Sequence, residues 1–383
     1  MTREPSVLEK SLMENINKEF GEDNPMIQLG EDSEYGKPRG WVDTGIYALN
    51  WIISGDINGG WPGGRISELD GDPGTGKSLL CNMSMKDPTI DLIIYFDTEA
   101  AMNTDFLNFL GVDVEKVLYQ PIDTVEQLQK VCSEVLTTII ANKQKNKKIL
   151  MIVDSIALAS TEKEMDPEKG QDMGNKAKKL REFFRVYARK IEKYNIAMLV
   201  TNHYTQKIGV MYGSNKVTTG GTALPYAASV RIDLKIEELD IDKKMEAVGA
   251  SSVTLRATTM KNRCFSPRRR IFFVLDFERG VHRYSGLLKI LENLGCATKS
   301  GGWYTLPAWN TEKKFYAKDF PQMVEDNNLQ DTVNKLLLDA VRRDDDEALE
   351  EVAEMEHAAI EEAAEREEAA TEKKPSRSKK KDA

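Results

Sequence analysis

The sequence predicts an α/β fold built on a mostly parallel central sheet flanked by helices. Three observations predict it. Residues Gly71-Asp72-Pro73-Gly74-Thr75-Gly76-Lys77-Ser78 match the phosphate-loop pattern G-x-x-x-x-G-K-[ST] at every fixed position. Continuous apolar runs at residues 92–96, 149–153 and 196–200 read as buried parallel strands. Stretches of helical period at 124–141 and 174–194 separate the runs, as crossover connections require.

The loop's context agrees with its pattern. Arg65-Ile66-Ser67-Glu68-Leu69 alternates like a half-buried strand, and Leu79 opens a helix that runs to Met85. Glycines let backbone N–H groups turn inward around a phosphate, and the helix N-terminus adds its positive dipole end. Lys77 then reaches the outer phosphates and Ser78 holds a Mg²⁺ ion, so a nucleoside triphosphate is the expected ligand. The run Ile149-Leu150-Met151-Ile152-Val153 ends in Asp154, the Walker-B pattern, whose carboxylate orders the Mg²⁺ hydration shell. Leu92-Ile93-Ile94-Tyr95-Phe96 ends in Asp97-Thr98-Glu99, putting carboxylates at the sheet edge where α/β ligands sit.

With 383 residues, 40% hydrophobic and 30% charged, the chain can bury one large core plus smaller appendages. No apolar run is long enough to span a membrane, and no signal-peptide stretch follows Met1. Cys81, Cys132, Cys264 and Cys296 lie far apart without metal-ligand spacing, which points to a reducing compartment such as cytoplasm. The net charge of −9 is concentrated in residues 344–383, where 15 acids meet 7 bases. The body is therefore nearly neutral, and composition alone selects no polyanionic partner.

Four regions follow from the order of these pieces. Residues 1–40 hold an amphipathic helix, with Leu8, Leu12, Ile16 and Phe20 on one face, and a turn-rich linker. The stripe needs cover from the chain's own core or from a neighbouring subunit. Residues 41–284 form the core: a short helix at 46–53, the phosphate-loop unit, the runs above, and strands at 228–236, 252–260 and 271–277. Between Tyr204 and Leu224 lies a Gly/Thr-rich loop of a length that is usually functional. Residues 285–343 form a small α/β domain, and 344–383 a Glu/Ala-rich, then Lys-rich tail with almost no apolar stripe, read as disordered.

Taken together, the phosphate loop, Asp97-Thr98-Glu99, Ile152-Val153-Asp154-Ser155 and Asn202-His203 resemble the RecA-type recombinases. So do Lys207 to Gly213, Thr218-Thr219-Gly220-Gly221, Ala228-Ser229-Val230-Arg231, Met260-Lys261-Asn262-Arg263 and Ser300 to Tyr304. The resemblance covers roughly residues 8–320 in the family's order. Asn202-His203, where bacterial members have Asn-Gln, looks more like the phage UvsX branch and suggests a phage-encoded protein.

The resemblance implies a DNA-dependent ATPase that forms filaments on single-stranded DNA and exchanges strands with duplex DNA. ATP and Mg²⁺ are then the cofactors, with single-strand-binding and mediator proteins as further partners. Glu99 matches the catalytic glutamate, Phe106 an adenine-stacking ring, and His203 the residue that senses the γ-phosphate. Lys261 and Arg263 match paired cations that reach the neighbouring subunit's nucleotide. Two DNA loops correspond to about Glu162–Gly174 and Gln206–Leu224. Within them Met173 and Ile208 match wedges between base triplets, while Gly174, Thr219, Gly220 and Gly221 match backbone contacts to DNA. Lys178 and Arg185 match cations on the phosphates. Lys216 and Thr205 depart from the bacterial pattern, which has Glu and Arg there. The acidic tail matches segments that restrain duplex invasion by charge repulsion. On the residues alone, a hexameric helicase or motor, or an ATP switch of the same fold, shares the loop and the Walker-B strand.

Overall fold

The computed structural model describes residues 4–20, 26–27, 36–142, 146–166, 173–206, 216–240, 252–277 and 279–343. The acidic tail, Ile208 and residues 167–172 of the first DNA loop lie outside these residues. The chain divides into two compact units, the first ending at Gly286 and the second starting at Leu287.

The first described helix, α1 (Val7–Phe20), starts on a reciprocal cap. The Glu9 N–H donates to Ser6 Oγ and the Ser6 N–H donates to Glu9 Oε2. Its Leu8 and Leu12 are 69% and 46% exposed, so the described residues leave that end of the stripe uncovered. Helix α2 (Tyr47–Ser54) is buried on nearly every side and stops at Gly55, whose left-handed φ of 82° suits a residue without Cβ.

The nine strands of the central sheet are β1 (Ile66–Gly71), β2 (Leu92–Asp97), β3 (Val117–Pro121), β4 (Ile149–Asp154), β5 (Ile196–Asn202), β6 (Val230–Asp240), β7 (Ser252–Asn262), β8 (Arg270–Asp276) and β9 (Gly280–Val281). They lie in the order β9-β8-β7-β6-β1-β5-β4-β2-β3. Pairings from β6 through β3 are parallel and those among β6, β7, β8 and β9 are antiparallel. Parallel strands demand helical crossovers, and α3 (Lys77–Ser84), α4 (Thr104–Leu110), α5 (Val125–Ala141) and α6 (Met173–Lys193) supply them. Helix α5 opens with a full capping box between Thr124 and Gln127. It buries Leu128, Cys132, Leu136 and Ile139 against the sheet, and α6 buries Leu180, Phe183, Phe184, Tyr187 and Ile191 in the same core.

Two expectations change. Strand β1 is not half-buried: all six residues are buried, because it sits in the middle of the sheet between β6 and β5. Its alternation marks buried carboxylates rather than a wet face. The Tyr204–Leu224 stretch is also less irregular than its composition suggests. Tyr204–Gln206 pairs antiparallel with Lys216–Thr218, and a short helix, Ala223–Ala227, follows.

The second unit has its own layers. Helix Leu287–Asn293 precedes a three-stranded antiparallel sheet of Thr298–Ser300, Trp303–Leu306 and Asn310–Phe315. Helix Phe320–Asp326 and a helical run over 330–343 complete it. Leu291, Leu306, Phe320, Val324, Val333 and Leu337 are its buried centre. Among the described residues no helix is long and apolar enough to cross a membrane.

Candidate nucleotide site and nucleic-acid interface

Strand register sets the site before any side chain is considered. Asp97 pairs with Asp154, and Asp70 with Asn202, so β2, β4, β1 and β5 end together at one sheet edge. The phosphate loop leaves β1 at that edge and turns into α3. Gly74 and Gly76 hold φ of 78°, which side chains resist. A Cβ on Gly71 would stand 2.5 Å from Thr75 Oγ1. The loop is thus a closed cradle that only these small residues permit.

Lys77 is the cradle's cation. Its side chain is held inside the loop, donating to the carbonyls of Gly71 (2.9 Å) and Asp72 (3.0 Å). Burial lowers its pKa, while Asp154, Glu99 and Asp72 pull it back up. Ser78 stands exposed in the first turn of α3, beside the place a phosphate would take. Asp154 is nearly buried, and both carboxylate oxygens accept hydroxyls: Tyr95 Oη at 2.7 Å on Oδ2 and Thr201 Oγ1 at 2.5 Å on Oδ1. Neither Tyr95 nor Thr201 stood out in the sequence, because only the sheet order β5-β4-β2 brings their strands beside β4.

Glu99 is held by what surrounds it. Its backbone N–H donates to Asp97 Oδ1, and Ser155 Oγ donates to its Oε1 at 2.9 Å. His203 Nε2 lies 3.6 Å from the same oxygen. Asp97, in contrast, is a turn-builder: it is buried and also accepts from the Met102 N–H and Tyr119 Oη. Lys77, Asp154, Glu99 and His203 therefore converge at the loop. Phe106 lies half-buried on α4, outside this hydrogen-bonded cluster.

The residues present fit a nucleotide with Mg²⁺. The cradle, the buried ammonium and the polarised Asp154 are the groups a triphosphate needs. No cluster of three or more His, Cys, Asp or Glu placed for a metal occurs among the described residues. That suits Mg²⁺, which is usually held by one or two protein oxygens plus phosphates.

Lys261 and Arg263 stand elsewhere. Arg231 pairs with Glu68 on one side and Lys261 on the other, so Lys261 is level with Glu68. That is three residues, roughly 10 Å, back from Gly71, and β7 runs away from the loop there. Lys261 Nζ donates to the carbonyls of Pro225 (2.9 Å) and Tyr226 (3.0 Å), and Arg263 is exposed. The structure brings neither cation to its own phosphate loop.

Beneath the site lies a cluster the sequence did not announce. Arg231 bridges Glu68 Oε2 (2.5 Å) and Asp70 Oδ2 (2.6 Å), and both carboxylates are fully buried. Asn202 Nδ2 donates to Glu68 Oε1 and, at 3.3 Å, to the Thr219 carbonyl. Burial and the Glu68 charge push the Asp70 carboxyl up to about 8, against the pull of Arg231. A carboxyl raised in the fold favours the folded state at low pH and less so as pH rises toward 8. Arg231→Ala should cost about 3–5 kcal/mol, by removing the cation from a buried carboxyl pair. Urea melts should show the loss growing from pH 7 toward pH 9, where Asp70 ionises only with the guanidinium beside it; equal losses across that range would mean that packing dominates.

The candidate DNA residues fall into two groups. Lys178 and Arg185, seven apart on α6, share an exposed face with Arg181. Other cations of that helix are engaged: Lys176 donates to the Ala157 carbonyl and Lys179 pairs with Glu126. At the end of the second loop, the Thr219 N–H and Oγ1 both donate to the His203 carbonyl, so that N–H is not available to a phosphate. Gly220 is needed for close approach, since a Cβ there would lie 2.5 Å from Leu180 of α6. Gly221 packs on Ala177 of the same helix, and Gly174 is exposed near its start. Met173 is the first residue of α6, and its side chain, like Ile208, lies outside the described residues.

Comparison with known proteins agrees with this arrangement. The RecA N-terminal domain family matches residues 7–282. "Protein RecA" of Leptospira meyeri is 29% identical over 293 residues, 76% of this chain and 72% of that protein. "Protein RecA" of Paracoccus denitrificans is 27% identical over 321 residues, covering 82% and 86%. These relatives are bacterial and lend no support to the phage origin suggested by Asn202-His203. The match over residues 7–282, most of the chain, makes this protein a member of the RecA family.

Proposed function

We infer that the chain is a DNA-dependent ATPase of recombination and repair. It assembles on single-stranded DNA as a helical filament and uses the filament to pair and exchange homologous strands. The observation that carries this reading is the placing of Lys261 and Arg263 away from their own loop. Cations that must meet a phosphate, yet face away from the one beside them, serve a second subunit. The uncovered stripe of α1 fits the same assembly, since it needs a neighbour to bury it. On this reading residues 1–40 pack subunits together, 41–284 are the ATPase core and 285–343 a small accessory domain, with the tail at 344–383 restraining duplex entry.

In this mechanism Lys77 exchanges its loop carbonyls for the outer phosphate oxygens. Ser78 and Asp154 would hold Mg²⁺, which would neutralise charge on the phosphates. Ser155 fixes the Glu99 carboxylate so that it orients and deprotonates the attacking water. His203 touches Glu99 through its ring and Thr219 through its carbonyl. It thereby joins the hydrolysis site to the second DNA loop. Lys178 and Arg185 hold the DNA backbone, Gly174, Thr219, Gly220 and Gly221 lie against it, and Met173 and Ile208 separate stacked bases. Phe106 stacks on the adenine.

Two assays on one preparation test the reading. ATP hydrolysis should rise on adding single-stranded DNA, and joint molecules should form with homologous duplex. Turnover without joint molecules, together with rings by negative-stain microscopy, would make the chain a motor instead.

A further inference from the structure

The residue between the two cations has more hydrogen bonds than either. Asn262 Nδ2 donates to the carbonyls of Ile52 (3.2 Å) and Ile53 (2.9 Å), at the C-terminal end of α2. Its Oδ1 accepts from the N–H groups of Cys264 (2.9 Å) and Phe265 (3.1 Å). One carboxamide thus satisfies orphan carbonyls of a helix some 210 residues away and closes the turn that follows β7.

The neighbours make that turn a rigid mount. Arg269 lies 4.8 Å over the rings of both Trp51 and Phe265, joining α2 to the turn a second time. Phe265 fills the space over Gly55, where a Cβ would stand 2.8 Å from its ring. The Arg263 N–H donates to the Ser229 carbonyl, so the chain is pinned on both sides of Asn262. Lys261 and Arg263 flank the anchored residue.

We propose that Asn262 is the positioning residue of the paired cations. By clamping the end of β7 to α2 it sets the direction in which Lys261 and Arg263 leave the subunit, and hence their fit to a neighbour's nucleotide. This rests on the reading that the two cations act across an interface. A cation misplaced by about 1 Å costs on the order of 10²-fold in rate. Removing the carboxamide should cost that much in DNA-stimulated turnover, with nucleotide binding by the free chain unchanged.

Complementation separates positioning from stability. Asn262→Ala subunits keep an intact phosphate loop, so mixing them with Lys77→Ala subunits, whose cations are intact, should restore turnover. Mixing them with Lys261→Ala subunits should not. Asn262→Asp is the second variant: it keeps the side-chain volume and the turn acceptors, but presents an acceptor to the Ile52 and Ile53 carbonyls. It should group with Lys261→Ala as well. Wild-type turnover by both variants overturns the proposal, as does rescue by both partners or by neither. If neither variant melts cooperatively, Asn262 is a stability residue and the proposal also falls. Should Lys261→Ala itself fail to be rescued by Lys77→Ala, the across-interface reading fails first, and that pairing shows it independently of Asn262.

Discussion

Lys77→Ala is expected to abolish ATP turnover while leaving the melting temperature close to that of the parent protein. In the free chain the Lys77 ammonium binds the Gly71 and Asp72 carbonyls of its own loop. Those carbonyls belong to a loop with exposed residues at 72–74, where water can replace the lost donor. The phosphates have no such substitute, because charge developing between the outer two needs a buried cation. Phosphate release measured with saturating single-stranded DNA checks this, and parent-like turnover would remove the nucleotide assignment. Glu99→Gln should behave differently. Glutamine keeps the size and can still accept the Ser155 hydroxyl, so binding and assembly persist. Hydrolysis should fall by roughly 10²–10⁴-fold, the range for losing a general base. Loss of nucleotide binding in Glu99→Gln would make Glu99 a structural residue of the edge.

What the sequence revealed, and what it hid, follows from the range of the interactions. The phosphate loop, the Walker-B strand and the crossover helices are local: eight consecutive residues or one period define each. Asp154 was therefore legible, but its hydroxyl partners were not, since Tyr95 and Thr201 lie 59 and 47 residues away and meet it only across the sheet. Glu68 stood in a run that looked like a half-buried strand. A local pattern cannot say that β6 will bring Arg231 beside β1 and make a buried ion cluster affordable. Lys178 and Arg185 stood out only through the family match, and the structure separates them from Lys176 and Lys179, which are tied to the protein, while Lys178, Arg181 and Arg185 are exposed. Asn262 was visible only as the middle of a motif. Its role depends on α2 lying under the end of β7, a contact that no spacing in the chain encodes.

Lys261→Ala and Arg263→Ala should each spare nucleotide binding by the dispersed protein and lose about 10³–10⁵-fold in DNA-stimulated hydrolysis, the range for a cation supplied in trans. The strand register is the reason: both residues leave the sheet on the side away from Gly71, so removing them does not touch the cradle of their own subunit. Mixing either variant with Lys77→Ala subunits should restore part of the activity, because some interfaces then join an intact loop to intact cations. A Lys77→Ala/Lys261→Ala double variant in the same mixture should restore nothing. Absence of rescue in filaments verified to contain both subunits would assign the pair a structural role. Lys261 adds a pH signature. Burial, with Arg263 and Arg231 nearby, pushes its ammonium down to about 8 in the free chain. The charge is present below that pH and lost above it, so assembly-dependent turnover should decline from pH 8 toward pH 9. Lys261→Arg keeps its charge throughout this range. It should flatten that decline even if its shape lowers the rate at pH 7, and a decline unchanged in Lys261→Arg would place the titrating group elsewhere.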